Sequence, residues 1–240
     1  TAMDQIKNKV CAVHWLGRVD YQEAWALQQR WAAEIGRGER PESLLLLEHP
    51  PTFTFGRRGQ AKHLLWGEEE LAARGVTVHW VDRGGDVTYH GPGQLVGYPL
   101  LRLAVERITY LRRLEEALIA ALAYLGVSAG QIEGLTGVWV ERGGAPAAKI
   151  AAIGVKVDAS GITRHGFALN IDPEMEYWQG IVACGLEGHP ATSLAELVRP
   201  TPSLAEVSQA VIEAFGDRLN YAMQLEPSTE HLLAQSDQNR

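Results

Sequence analysis

Apolar side chains recur at helical spacing in two long stretches of the chain. In the first stretch they fall on every third or fourth position: Ala24, Leu27, Trp31 and Ile35. Asp20 and Glu23 precede this stretch in the spacing of a capping box, and Gly36 follows it as a stop signal. In the second stretch, residues 106–125, aliphatic side chains keep the same spacing: Ile108, Leu111, Leu114, Leu118, Leu122 and Leu125. Both patterns predict amphipathic helices.

Shorter apolar runs, bounded by glycine, proline or polar residues, predict strands. They lie at residues 44–48, 76–82, 95–100, 137–141, 149–158 and 162–171. The last three are separated by Gly143-Gly144 and by Ser160-Gly161, which is typical of hairpins. A short helix is expected at residues 68–74. Two further helices are expected where serine is followed three positions later by glutamate, at Ser193 and at Ser203, and the second should run to about residue 225.

The order of these elements predicts the fold class. Strand hairpins mixed with helices indicate an α+β (mixed α/β) domain rather than the regular alternation of a Rossmann fold. The glycine-rich residues 91–97 agree, because they do not read G-x-G-x-x-G and open no predicted helix. We expect residues 1–225 to form a single domain and the polar residues 226–240 to form a disordered tail.

The composition of the chain limits the classes of protein to which it can belong. Of the 240 residues, 46% are hydrophobic and 21% are charged, which is ordinary for a globular protein. No apolar run is long enough to span a bilayer, and the first residues lack the pattern of a secretory signal, so we expect a cytoplasmic protein. The formal net charge of −7 argues against nucleic acid as a partner, although Arg57, Arg58 and Lys62 form a local basic cluster.

The two cysteines lie in different surroundings. Cys11 belongs to a strand-like run, where a buried and inert thiol is expected. Cys184 stands beside Gly185, after a stretch punctuated by proline and glycine. Two cysteines make no disulfide framework, and the histidines do not combine with them at metal-ligand spacing, so neither a disulfide scaffold nor a metal site is expected.

Residues 83–94, Arg-Gly-Gly-Asp-Val-Thr-Tyr-His-Gly-Pro-Gly-Gln, hold four glycines and a proline directly after a predicted strand. Glycine at this density indicates sharp turns or the close approach of another group to the backbone. A turn alone does not require Thr88, Tyr89 and His90 between two glycine clusters, so we interpret the segment as part of an enzyme site. His90 could bind substrate, act as a base, or hold the loop through hydrogen bonds.

Lys149 is the candidate partner of a cysteine nucleophile. Cysteine catalysis needs the thiolate, which a neighbouring cation stabilises. Lys149 enters a predicted strand from the small, loose loop at residues 143–148, and an apolar setting there would favour loss of its proton, so that it can exchange protons. The alternative is an ordinary lysine at the end of a strand, reaching water.

The glycine-rich segment, extended to residues 83–99, resembles the signature of octanoyltransferases, the lipoyl/octanoyl-carrier-protein:protein transferases. Further segments resemble that family in the same order, within about residues 12–215: 45–51, 55–58, 149–156, 165–170 and 184–186. The chain departs from the family at Ala183, where proline commonly precedes the catalytic cysteine. This difference affects the rigidity of the loop and leaves the nucleophile in place.

The resemblance implies a fold, an activity and a set of residues. The fold is the catalytic domain of biotin and lipoate protein ligases, a mixed, mostly antiparallel sheet flanked by helices. The activity is transfer of an octanoyl or lipoyl group, without a cofactor, from acyl carrier protein to a specific lysine of lipoyl domains in 2-oxoacid dehydrogenase E2 subunits and the glycine cleavage H protein. Cys184 would carry the acyl group as a thioester, and Lys149 would stabilise its thiolate and relay protons. The implied substrate contacts are Arg83, Gly84, Gly85, Asp86, Val87, Thr88, Tyr89, His90, Ala152, Ile153, Gly154, Gly166, Phe167 and Ala168.

Three other functions stay open on the sequence alone. An ATP-dependent lipoate or biotin ligase shares the fold and makes an acyl-adenylate without a cysteine nucleophile, and the position of Cys184 after residues 165–170 argues against it. A non-catalytic module that binds lipoyl domains would keep the fold without becoming acylated. A papain-like cysteine hydrolase is disfavoured, because Cys184 is not in the helix-starting context of such nucleophiles.

Overall fold

A computed structural model describes residues 9–182 and 189–234. The strands are β1 Lys9–Arg18, β2 Ser43–Glu48, β3 Thr52–Phe55, β4 Thr77–Trp80, β5 Val87–His90, β6 Gln94–Leu100, β7 Gly130–Ile132, β8 Leu135–Arg142, β9 Ala145–Val157, β10 Thr163–Asn170 and β11 Tyr221–Leu225. The α-helices are α1 Tyr21–Arg37, α2 Glu68–Ala73, α3 Arg107–Tyr124, α4 Leu194–Leu197, α5 Leu204–Leu219 and α6 Pro227–Ala234. Short 3-10 helices form at Ala61–His63 and Met175–Gly180.

The described strands form two sheets. The larger sheet has eight strands in the order β11-β1-β2-β6-β10-β9-β8-β7, and the smaller has three in the order β4-β3-β5. In the larger sheet β1 runs parallel to both of its neighbours, and the other neighbouring strands pair antiparallel. The predicted mixed, mostly antiparallel sheet flanked by helices is therefore confirmed, and so are the hairpin strands β8, β9 and β10.

Helices cover both faces of the larger sheet. Consecutive leucines of β2 alternate between two cores, because successive side chains of a strand point to opposite faces. Leu44 and Leu46 pack with residues of α3 and α5, and Leu45 and Leu47 pack with residues of α1. All four are fully buried, which explains why this strand reads as an unbroken apolar run. A third apolar cluster, which includes Phe53, joins the smaller sheet to α2 and to the second 3-10 helix.

The polar residues that open two of the long helices act as predicted. The Asp20 carboxylate accepts hydrogen bonds from the N–H groups of Gln22 and Glu23 at the start of α1. Ser203 and Glu206 form a reciprocal capping box at the start of α5. Each cap satisfies backbone donors that the first helical turn leaves without a partner.

Three details of the predicted elements are wrong. Helix α1 continues past Gly36 to Arg37. The next residue, Gly38, caps the helix because its backbone is left-handed (φ 76°). Residues 145–148 are not a loose loop, because Gly143 and Gly144 both have positive φ and make a two-residue hairpin turn, so β9 already begins at Ala145. Ile108 is 66% exposed, because it lies in the first turn of α3, before the buried residues of that helix begin.

The prediction for the C-terminal region is also wrong. Helix α5 ends at Leu219 because Asn220 adopts the left-handed conformation (φ 62°), and β11 then pairs with β1. The residues expected to form a disordered tail include α6, in which the buried Thr229 hydroxyl donates to the carbonyl oxygen of Val13 at 2.9 Å. Residues 235–240 lie outside the described residues. None of the described helices is both long and apolar enough to cross a membrane.

Candidate active site

A cleft with two adjoining parts opens beside β9 and β10. The outer part, about 390 Å³ with the space open to solvent, is lined by Lys149, Trp139 and other residues. The inner part, about 460 Å³ on the same measure, lies between the glycine-rich segment and the two strands. The parts meet at Thr88, Ala152 and Ala168, which line both.

The glycine-rich segment is docked on β9 through its backbone. The N–H of Gly84 donates to the carbonyl oxygen of Val155 at 3.1 Å. A Cβ added to Gly154 would stand 2.9 Å from the carbonyl oxygen of Gly84, closer than side-chain carbons approach. The buried Arg83 guanidinium donates to the carbonyl oxygen of Thr54 at 2.5 Å, and to the Thr54 hydroxyl and the Gly84 carbonyl oxygen at 2.9 Å each. The segment is therefore a fixed wall of the inner part.

Strand β5 divides the predicted contact residues between two environments. The predicted contact residues of the glycine-rich segment that line the cleft are Arg83, Gly85, Asp86, Thr88 and His90. The structure does not bring the side chains of Val87 and Tyr89 there. Because side chains alternate along a strand, these two are buried in the cluster around Phe53. Gly84 contributes through its backbone contact with β9.

The predicted contacts on β9 and β10 all line the inner part of the cleft. They are Ala152, Ile153, Gly154, Gly166, Phe167 and Ala168. Gly166 is the register partner of Gly154, and Ala168 is the partner of Ala152. Two glycines and two alanines side by side leave the backbone nearly bare, so that an alkyl chain can lie against it.

Lys149 reaches the outer part because the pairing of β8 with β9 is irregular. The partners shift from Val138 with Ala151 to Trp139 with Lys149, so a step of one residue on β8 matches a step of two on β9. This is a β-bulge. In a regular strand, Lys149 and Ala152 would point to opposite faces, since they are three positions apart. With the bulge, both line the cleft.

The ammonium of Lys149 lies over an aromatic ring. Its Nζ is 4.6 Å from the centroid of the Trp139 ring, which is a cation–π contact. The backbone N–H of Lys149 donates to the carbonyl oxygen of Pro190 at 2.8 Å, and its carbonyl oxygen accepts from the N–H of Thr192 at 3.0 Å. Residues 190–192 therefore run beside β9. His189 packs edge-on against Trp139 at 5.3 Å and also lines the outer part.

The predicted nucleophile Cys184 lies outside the described residues, as do its neighbours Ala183 and Gly185. On the N-terminal side, the N–H of Val182 donates to the carbonyl oxygen of His63 at 2.9 Å. His63 Nδ1 is in turn hydrogen-bonded to Asp86 Oδ2 at 2.5 Å. Val182 is thus linked through His63 to Asp86, which lines the cleft, and His189 lines the cleft as well. The described residues on both sides of 183–188 are therefore connected to the cleft. The other cysteine, Cys11, is fully buried as expected, and burial raises the pKa of its thiol.

A row of hydrogen bonds fixes His90. The amide nitrogen of Gln94 donates to Asn170 Oδ1 at 2.9 Å, which directs Gln94 Oε1 to accept from His90 Nδ1 at 2.9 Å. This network assigns the proton of His90 to Nδ1, while its Nε2 faces the Thr54 hydroxyl at 3.3 Å. Burial, and then the neighbouring His49, lower the pKa of His90 well below its ordinary value. Of the three roles considered for His90, these contacts match the one in which it holds the loop.

Polar aromatic side chains close the inner end of the cleft. Tyr98 OH is 2.7 Å from His49 Nε2, and Tyr21 OH is 3.5 Å from His165 Nδ1. His165 Nε2 is 2.8 Å from Asp82 Oδ1. Burial lowers the pKa of His49 to about 4. Burial also lowers the pKa of His165, against the opposing effect of its hydrogen bond to Asp82. The His49 imidazole is therefore neutral near pH 7.

Several residues of the site were not singled out from the sequence. Gln94 and Asn170 stand inside motifs that were singled out, and each follows a histidine of its motif by a few positions, so their amides were a usable signal. Trp139 gave no signal, because its place under Lys149 depends on the bulge between two strands. Tyr21 follows the cap of α1 in an ordinary position. Within residues 9–182 and 189–234, no group of three or more His, Cys, Asp or Glu side chains is arranged to hold a metal ion.

The sequence matches a known family along most of its length. The family model of the lipoyl protein ligase A/B catalytic domain matches residues 20–216. A protein from Chloroflexus aurantiacus named octanoyltransferase is 47% identical over 227 residues, which is 93% of this chain and 99% of the relative. One of the same name from Mycolicibacterium gilvum is 45% identical and covers 91% of each chain.

Solved structures share the fold at low sequence identity. The bipartite lipoate protein ligase of Thermoplasma acidophilum superposes with a TM-score of 0.71 at 18% identity, over 97% of this chain and 93% of that one. A lipoate-protein ligase A bound with ATP gives a TM-score of 0.68 at 16% identity, over 96% and 95% of the two chains. At such identities the likeness shows the fold alone.

Proposed function

Since the chain belongs to the octanoyltransferase family and carries the lipoyl protein ligase A/B catalytic domain, it is an acyltransferase, and we propose that it moves an octanoyl or lipoyl group from the thioester of an acyl carrier protein to a specific lysine of a lipoyl domain. One observation carries the proposal. The ammonium-bearing Lys149 lines the outer part of a cleft, and the inner part continues past Thr88, Ala152 and Ala168 over nearly bare backbone. A reactive carbonyl near Lys149 would leave its alkyl chain directed past Ala152 and Ala168 toward the glycines of β9 and β10.

The first half-reaction joins the acyl group to Cys184. The thiolate of Cys184 attacks the thioester carbonyl of the donor, a carbon–sulfur bond forms, and the bond to the carrier's sulfur breaks. The departing carrier thiolate takes a proton from the Lys149 ammonium and leaves as a thiol. One thioester replaces another, so the step needs no ATP.

The second half-reaction transfers the acyl group to nitrogen. The neutral ε-amine of the acceptor lysine attacks the acyl-cysteine carbonyl, an amide forms, and the Cys184 thiolate leaves. Lys149, which gave up a proton in the first step, takes the proton that the amine loses. The amide is more stable than the thioester, so this step runs downhill and restores the thiolate–ammonium pair.

The acyl chain fits the inner part of the cleft by its polarity. Ala152 and Ala168 present carbon surface, and Gly154 and Gly166 allow the chain to touch backbone. Burial of each methylene contributes about 0.8 kcal/mol, so most of the affinity for the donor's acyl group would come from this surface.

A basic patch formed by Arg57, Arg58 and Lys62 would dock at least one partner. All three side chains are exposed. The N–H groups of Arg57 and Arg58 donate to the carbonyl oxygens of Arg83 and Gly85, at 2.9 and 3.0 Å, so the patch borders the wall of the cleft. Carrier proteins and lipoyl domains, including those of 2-oxoacid dehydrogenase E2 subunits and the glycine cleavage H protein, are usually acidic, and opposite charge accelerates their encounter. If reversing the charge of all three side chains changes neither the transfer rate nor its salt dependence, the patch has no part in docking.

Intact-protein mass spectrometry after mixing with octanoyl-carrier protein, in the absence of ATP, tests the proposed function. Wild type should gain one octanoyl group and lose it on addition of a lipoyl domain, and Cys184→Ser should gain none. Cys11→Ser is the matched control, because Cys11 is the buried cysteine and should be dispensable. Active wild-type protein that carries no adduct and requires ATP would instead be a ligase.

A further inference from the structure

Glu115 is a buried carboxylate on helix α3, which packs against the larger sheet. It is 0% exposed, and it lies among the leucines that face the core. We propose that Glu115 is a positioning residue for Lys149, acting through the backbone of Gly137. This inference rests on the proposed function, because that function gives Lys149 its role in proton transfer.

Two contacts hold the Glu115 carboxylate. Oε2 accepts from Arg112 Nη1 at 2.6 Å, and Oε1 accepts from the backbone N–H of Gly137 at 2.9 Å. Arg112 supplies the opposite charge that a buried carboxylate requires. The second contact reaches out of the helix to β8. Glu115 therefore ties α3 to one backbone position in the irregular part of the sheet.

Gly137 is in direct contact with the side chain of Lys149. A Cβ added to Gly137 would stand 3.2 Å from Lys149 Cε and 2.8 Å from the carbonyl oxygen of Ala151. Gly137 also has a φ of 126°, which side-chain-bearing residues rarely adopt. The lysine stem thus lies across a position that only glycine can occupy. A shift of the Gly137 backbone would move the surface on which this stem rests.

Trp139, two positions after Gly137 on β8, contacts the charged end of the Lys149 side chain. Trp139 is on the same face of the strand as Gly137, since two positions separate them. Its ring lies under the lysine ammonium at 4.6 Å. Gly137 thus supports the carbon stem and Trp139 supports the charged head. The Glu115 carboxylate fixes the backbone of Gly137. It thereby fixes the position of β8 relative to β9 at the bulge.

The role assigned to Glu115 differs from simple core stability in what it predicts. A residue that only stabilises the fold would change Tm and leave the chemistry of the folded protein intact. A residue that positions Lys149 changes kcat of the folded protein, because small displacements of a catalytic group slow the reaction strongly. The donor's KM should be less affected, since Glu115 does not line the cleft.

The test compares Glu115→Ala, Glu115→Asp and Glu115→Gln in full-length protein, with rates of acyl-enzyme formation and discharge measured across pH by rapid quench. Glu115→Ala and the shorter Glu115→Asp should slow both half-reactions roughly tenfold to a hundredfold, with KM for the octanoyl-carrier protein within about twofold of wild type. Glu115→Gln keeps an acceptor at the same length and should stay within about threefold of wild type. Competitive acetylation, read by mass spectrometry, should show altered reactivity of the Lys149 amine in the two slow variants.

Two controls on the same helix separate positioning from charge and from stability. Glu116 is an exposed neighbouring carboxylate, and Leu118 is a buried core residue one turn from the Gly137 contact. Glu116→Ala should leave kcat unchanged, and folded Leu118→Ala should lower Tm with little change in kcat. If Glu115→Ala does not fold, Glu115→Asp decides the question.

Folded Glu115→Ala or Glu115→Asp with wild-type kcat and pH profile would overturn the positioning role. Lys149→Ala, measured in parallel, distinguishes this failure from that of the proposed function. If Lys149→Ala is inactive and Glu115→Ala is fully active, only the positioning role is refuted. Wild-type activity in Lys149→Ala would sink the proposed mechanism.

Discussion

Replacing Gly154 with alanine should loosen the wall of the cleft. The new Cβ would stand 2.9 Å from the carbonyl oxygen of Gly84 and 3.2 Å from Arg83 Cδ, whereas ordinary van der Waals contact begins at 3.4 Å. The two backbones would have to separate by about half an ångström. Gly84 resists this movement, because its N–H donates to Val155 and its carbonyl oxygen accepts from the Arg83 guanidinium.

The loss of stability can be worked from these contacts. Overpacking of this kind costs about 1–3 kcal/mol. Alanine also restricts the unfolded chain, which offsets about 0.4–1 kcal/mol. The middles of the two ranges give a net loss of about 1.3 kcal/mol. In a protein of this size, that corresponds to a fall in Tm of about 3–5 °C. We also expect a lower kcat/KM for octanoyl transfer, because Gly154 lines the inner part of the cleft.

Thermal unfolding by circular dichroism and steady-state transfer kinetics test both expectations. Gly130→Ala is the matched control, because an added Cβ there meets nothing within 4 Å and Gly130 needs no positive φ. The control should keep or slightly raise the wild-type Tm. A Gly154→Ala protein with the same Tm as the control, and with unchanged kcat/KM, would refute the reasoning, since the wall would then move without resistance.

Three further changes have expected outcomes. Lys149→Ala should slow both half-reactions by roughly a hundredfold or more, as for loss of an acid–base group, measured by rapid quench. His49→Gln should flatten the pH dependence of unfolding. The pKa of His49 is lowered from 6.5 to about 4 on folding, so the unfolded chain binds more protons between these values, and the wild type's stability, complete above pH 6.5, falls as the pH drops toward 4. Urea unfolding near pH 7 and near pH 5 measures the difference. Thr229→Val should lower stability by about 1 kcal/mol, because α6 loses its hydrogen bond to β1, and the urea midpoint should fall accordingly.

Each of these changes has a control or an outcome that contradicts it. Wild-type rates in Lys149→Ala would remove Lys149 from the chemistry. His231 is exposed, so His231→Gln should keep the pH dependence of the wild type. A His49→Gln protein that is equally pH-dependent would speak against the buried neutral imidazole. Ser228 is exposed beside Thr229, and equal midpoints for Ser228→Ala and Thr229→Val would show that α6 is not anchored by this bond.

Local signals accounted for a large share of the fold, whereas β11 and α6 were missed because they depend on contacts between distant residues. Asp20 and Ser203 cap their helices through bonds to residues two or three positions ahead, so the information lies in a few adjacent residues. Strand β11 exists because it pairs with β1, and α6 is anchored by the contact of Thr229 with Val13. Such pairings leave no period in the sequence. The polar composition of residues 226–234 therefore gave the wrong prediction for the part of this region that the structure describes.

The site shows the same division between residues and geometry. The sequence motifs identified most of the residues that line the cleft, including Lys149. The direction of the Lys149 side chain into the cleft, however, depends on a bulge that forms only when β8 pairs with β9. The period of two along a strand separates Thr88 and His90 from Val87 and Tyr89, and only the first pair lines the cleft.

Strand β1 depends on residues that are synthesised long after it. It pairs with β2 on one side and with β11 on the other, so its outer edge stays open until residues 221–225 have left the ribosome. An open edge is a template for pairing with other chains. Shortened products that stop before Tyr221 would contain every residue of the cleft and still be prone to aggregate. The yield of folded protein is therefore expected to depend on five residues that do not line the cleft.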